Sequence, residues 1–60
     1  MWIITKYSGI INSNRVIRFA ESSNGTYAYC QGAAYMLSAK PILDTILVAL
    51  RGHAEILEVD

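Results

Sequence analysis

Apolar and polar residues repeat with two different periods along the chain, and the period changes near residue 38. From Ser38 to Gly52 it is helical. With residues placed about 100° apart, Ile42, Leu43, Ile46, Leu47 and Leu50 fall on one face, with Ala39 and Ala49 near its edges. Asp44 and Arg51 fall opposite. Ser38 is placed to act as N-cap, since its hydroxyl can accept from a free N–H of the first turn. Pro41 lies in that turn, where a missing N–H costs nothing. Arg51 suits the negative end of the helix dipole, and Gly52 can take the left-handed conformation that closes a helix. The pattern predicts a helix over residues 39–51. Val48 projects away from the stripe and is a candidate contact for a second subunit.

Before residue 38 the period is two, with turn residues between short runs. Trp2 to Lys6 reads as a strand, Ser8-Gly9 as a turn and Ile10-Ile11 as a second strand. Arg15 to Glu21 is a third, with Ile17 and Phe19 on one face and Val16, Arg18 and Ala20 on the other. Ser22 to Gly25 is the clearest turn, and its Asn-Gly pair favours a type I′ hairpin. On the returning strand, Thr26 to Gln31, Tyr27 and Tyr29 point one way, and Thr26, Ala28 and Cys30 the other. That turn allows a register with Arg18 opposite Tyr29, whereas a slip of one residue puts them on opposite faces. Gly32 permits a reversal into Ala33 to Leu37, where Tyr35 and Leu37 share a face. His53 to Asp60 has Leu57 and Val59 on one side and Ile56 on the other, as a terminal strand or a subunit-contacting tail. The expected fold is one α+β domain over residues 1–60. It has a small, hairpin-rich antiparallel sheet of 4–6 short strands, with one amphipathic helix packed across it.

Size changes this picture. A chain of 60 residues buries only about 60% of its unfolded surface, and ordering costs roughly 1.5 kcal/mol per residue. Lone Cys30 makes no internal disulfide, and no Cys/His cluster suggests zinc. Yet 53% of the residues are hydrophobic, more than a monomer this small hides easily. Exposed strand edges add to the problem. A homo-oligomer resolves both.

Net charge is zero, which argues against binding long nucleic acid. The charges are segregated, however. Residues 1–40 carry Lys6, Arg15, Arg18 and Lys40 against Glu21; residues 41–60 carry Arg51 against Asp44, Glu55, Glu58 and Asp60. The strand region is therefore basic and suits an anionic ligand, or a head-to-tail subunit contact. No basic stretch followed by an apolar core marks a signal peptide. The longest apolar run, Ile46 to Leu50, is too short to span a membrane. A soluble, cytoplasmic protein is expected.

Little in the sequence points to catalysis. His53 lacks an evident orienting partner and nucleophile, and beside a helix end it complements the dipole. Cys30 reads as a buried, inert thiol. No phosphate loop, paired carboxylates or metal motif is present, so no catalytic residue and no cofactor is expected. The aromatic residues are more telling. Tyr7, Tyr27, Tyr29 and Tyr35 accompany Trp2 and Phe19, nearly all on strands. Strand packing alone accounts for such a set. With Lys6, Arg15 and Arg18 nearby, the same residues also match a ligand with flat rings and phosphate. The candidate ligand-binding residues are Trp2, Lys6, Tyr7, Arg15, Arg18, Tyr27, Tyr29 and Tyr35. Ser38 and the free N–H groups of the helix start form a second candidate anion site.

Met1-Trp2-Ile3 with Thr5, then Gly9 with Ile10-Ile11-Asn12, then Val16 resembles the opening of a group of short bacteriophage and prophage proteins. Tyr27 and Tyr29, Tyr35-Met36-Leu37-Ser38, and Leu43 to Gly52 fit the same outline of a Tyr-bearing hairpin, one amphipathic helix and a last strand. The helix departs from it, carrying only Asp44 where such proteins are strongly acidic. The resemblance implies an anti-defence role in the host cytoplasm. Some such factors are oligomeric sponges that sequester the nucleotide signals of bacterial immunity; others block an immune effector by direct contact. The leading expectation is a non-catalytic homo-oligomer that sequesters a nucleotide-derived immune signal at a subunit interface. The alternatives are a protein–protein inhibitor of a host immune protein, using an apolar patch around Val48 or Ile56 to Val59, and a small structural or assembly protein.

Overall fold

The computed structural model describes residues 1–59. Strands β1 (Trp2–Thr5) and β2 (Gly9–Asn12) form a hairpin. A 3-10 turn, Ser13–Arg15, leads into β3 (Val16–Ser22), β4 (Gly25–Cys30) and β5 (Ala33–Ser38). Helix α1 (Leu43–Arg51) and strand β6 (Ile56–Val59) complete the described chain. The α+β class agrees with the sequence pattern, but the single antiparallel sheet does not. The described residues form two three-stranded sheets, ordered β2-β1-β6 and β3-β4-β5. The terminal segment is a strand, and it pairs parallel to β1, with Ile3 beside Leu57 and Thr5 beside Val59. Of the residues expected in this segment, Asp60 lies outside the described residues.

The core lies where both sheets meet the helix. Ile3 and Ile11 come from the first sheet, Ala28 and Leu37 from the second, and Ile46 from α1; all are buried. Ile42 and Leu50, one helical turn to either side of Ile46, pack against this cluster, as do Met1, Val16, Phe19, Leu57 and Val59. The predicted stripe is therefore narrower in fact: Ile42, Ile46 and Leu50 follow the i, i+4 row into the core cluster, while Leu43 and Leu47, half-buried like Ile42 and Leu50, lie outside it. Val48 is 67% exposed, as its place off the stripe implied.

Two features of the helix differ from expectation. It begins at Leu43 rather than residue 39, because Ser38 ends β5 as a buried strand residue whose hydroxyl accepts from Lys40 N–H. The start is satisfied from across the fold: buried Thr26 accepts from Ile42 N–H at 2.9 Å, and Glu21 accepts from Leu43 N–H at 3.1 Å. At the other end Gly52 stays right-handed (φ −83°), and the left-handed residue is His53 (φ 55°).

The β3–β4 turn sits where predicted but has another form. Ser22 pairs with Gly25, leaving Ser23-Asn24 as the two central residues. Neither has positive φ, so the turn is not type I′. Gly25 instead opens β4 at φ 149°, and a Cβ there would collide with the carbonyl oxygen of Ser38. Close approach of two strands explains this glycine.

Candidate functional site

The outer face of the second sheet is set by a β-bulge. Val16 pairs with Cys30, but the next pair is Arg18 with Tyr29. Ile17 is the extra residue, and it is exposed. A regular ladder continuing from Val16–Cys30 would bring Arg18 opposite Ala28, on the other face from Tyr29. The bulge removes that conflict. It also corrects the expected faces of β3: Val16 joins Phe19 against the core, and Arg18 and Ala20 face outward across from Tyr29 and Tyr27.

The pairing of Arg18 with Tyr29 is the one the hairpin allowed. The Arg18 guanidinium carbon lies 4.2 Å from the Tyr29 ring centroid, within cation–π range. Both rings of β4, Tyr27 and Tyr29, are half-buried, and Arg18 is exposed. Met36 and Ala34 of β5 complete this face beside Tyr27 and Tyr29. At the end of the hairpin, Arg15 and Gln31 line a depression of about 360 Å³. Arg15 is three positions before Arg18, so their backbones are no more than roughly 11 Å apart. Arg18, Tyr27 and Tyr29 thus share one surface by register, and Arg15 lies within that reach, just before β3.

The other candidate residues lie elsewhere. Tyr35 pairs with Ala28 and so occupies the opposite face of the sheet, at its edge. Lys6 and Tyr7 form the β1–β2 turn, with the Lys6 ammonium 5.2 Å from the Tyr7 ring centroid. Thr5 Oγ1 holds that turn by accepting from the N–H groups of Tyr7 and Ser8 at 3.0 Å each. Trp2 is on the outer face of the first sheet, half-exposed. The anion site expected at Ser38 is not formed, since that hydroxyl lies a strand's end away from the helix start and Glu21 already occupies the Leu43 N–H. Cys30 is a half-buried free thiol rather than a fully buried one. Among the described residues, no group of three or more His, Cys, Asp or Glu is arranged to hold a metal ion, and no helix is long and apolar enough to cross a membrane.

Sequence reasoning missed two features. Gln31 joins Arg15 only through the hairpin geometry. The second is an apolar surface on the first sheet, where Trp2, Ile4, Ile10 and Ile56 enclose a hollow of about 330 Å³. Its signal was present: Ile3-Ile4 and Ile10-Ile11 are adjacent apolar pairs, and in a strand adjacent residues face opposite ways.

The fold and this surface define a small α+β protein with two outward-facing sheets. Comparison with protein-family models, with curated proteins and with solved structures finds no match.

Proposed function

We propose that this chain is a non-catalytic binding protein that sequesters a nucleotide-type ligand on the outer face of β3 and β4. The observation that carries the reading is Arg18 lying over Tyr29, with Tyr27 beside them and the Arg15–Gln31 depression at the end of the hairpin. A nucleotide offers a flat ring and phosphate. An Arg guanidinium held flat by an aromatic neighbour presents a second plane on which a base stacks. Arg15 supplies charge for phosphate, and the Gln31 amide can pair with a polar ring edge. When a ligand is bound, a second subunit that closes over it supplies the opposing wall. The resemblance to short phage proteins gives the ligand its biological setting, a nucleotide signal of bacterial immunity, with the protein acting in the host cytoplasm.

The test is a calorimetric titration with a panel of linear and cyclic nucleotides, followed by heat denaturation of the loaded protein and chromatography of what is released. The reading predicts saturable binding of at least one nucleotide and its intact return. No heat with any of the panel contradicts binding, and release of new products contradicts the absence of catalysis.

A further inference from the structure

The outer face of the first sheet has no role in this reading. Trp2 and Ile4 lie on the central strand β1, Ile10 on β2 and Ile56 on β6, so the apolar surface crosses all three strands. Trp2 is 50%, Ile56 60% and Ile10 66% exposed. The face is bounded by Asn12, paired with Trp2, and by Glu58, paired with Ile4. We infer that this face is the contact between two copies of the chain, packed sheet to sheet about a twofold axis.

Area supports a second copy. The three exposed side chains present on the order of 400 Å² of apolar surface, the size of the largest patch on a typical monomer, which is often functional. Two such faces, with their rims, approach the roughly 1,000 Å² that a biological interface needs. Shape supports it as well. Ile10 and Ile56, on the outer strands, and Trp2 and Ile4, on the central one, line one shallow, open hollow, and a twofold contact requires one patch to meet its own copy. Charge permits it. Glu58 is the only charged residue on the three strands, at the rim, and the chain's net charge is zero, so apposed copies meet no repulsion at the centre. The inward faces of the two sheets and the helix bury only Ile3, Ile11, Ala28, Leu37 and Ile46 as apolar side chains among the described residues. A chain with so small a core gains most from a cover present whenever it folds, and a second copy meets that condition.

The proposal is independent of the ligand reading, since it concerns the other sheet and its test involves no nucleotide. Light scattering on the wild-type protein across a dilution series should give twice the single-chain mass at high concentration. Trp2 is the sole tryptophan and reports from the interface: its emission should shift to the blue in the dimer and to the red on dilution, in step with mass. Ile10→Glu and Ile56→Glu should each give the single-chain mass and the red-shifted emission. Val48→Glu, at an equally exposed site on the helix, should leave the dimer intact. A single-chain mass at every concentration overturns the inference, including where lipid vesicles or a foreign protein blue-shift Trp2 instead. A dimer that dissociates on dilution with no red shift of Trp2 overturns it too, and because that readout uses the wild-type chain, it does not depend on the variants folding.

Discussion

Thr26 shows how much of this fold hangs on single side chains. Its hydroxyl is buried, donates to the Lys40 carbonyl at 2.8 Å and accepts from Ile42 N–H at 2.9 Å. Thr26→Val keeps the shape and strands both backbone groups. Each buried group left without a partner costs about 1–3 kcal/mol, and about 1 kcal/mol moves the melting temperature of a domain this size by roughly 4–8 °C. The variant should therefore melt well below wild type in a thermal scan by circular dichroism. Gly25→Ala should be at least as damaging, because the left-handed backbone and the Ser38 carbonyl both exclude a Cβ; strain of that kind is of order 1–3 kcal/mol before the clash is counted. An unchanged denaturation midpoint in urea would contradict the close approach of β4 to Ser38. Neither role was legible in the sequence. Thr26 read as an ordinary strand residue and Gly25 as half of a turn pair, because the groups that define them arrive from more than ten residues away.

At the scale of elements, periodicity was readable and its interruptions were not. Alternation placed Tyr27 and Tyr29 on one face of β4 and Leu57 with Val59 on one face of β6, as observed. The bulge at Ile17 has no local signature, yet it decides which face Val16 takes and where Arg18 points. The helix shows the same division. Its apolar row follows from spacing, while its first residue is fixed by Thr26 and Glu21 from the neighbouring strands β4 and β3. Ile46 is fully buried at the centre of that row. Ile46→Ala should cost about 2–5 kcal/mol, the range for truncating a buried aliphatic side chain, and in a domain of marginal stability that is enough to unfold much of the population. Val48→Ala, at an exposed site, should leave the denaturation midpoint nearly unchanged. Equal losses from the two would place the core on the wrong side of α1.

At the scale of the whole molecule, two sheets replace the one that the sequence pattern implied. The first five strands form hairpins, but β6 returns after the helix to lie parallel to β1, a long-range pairing that no local pattern encodes. The division separates two surfaces of different chemistry. Trp2 goes to an apolar face, and Arg18, Tyr27 and Tyr29 to a basic aromatic one, so residues that composition grouped as a single candidate site serve different surfaces. The proposed nucleotide binding by the second surface rests on Arg18. Arg18 is exposed and touches the fold through the Tyr29 ring, a contact worth about 0.5–1 kcal/mol at an exposed site. Arg18→Ala should melt close to wild type. In calorimetric titration with the nucleotide that the wild-type protein binds, it should lose measurable affinity, while Tyr29→Ala, which removes only the ring beneath the guanidinium, weakens binding less. A folded Arg18→Ala protein that binds that nucleotide with wild-type affinity would contradict the account.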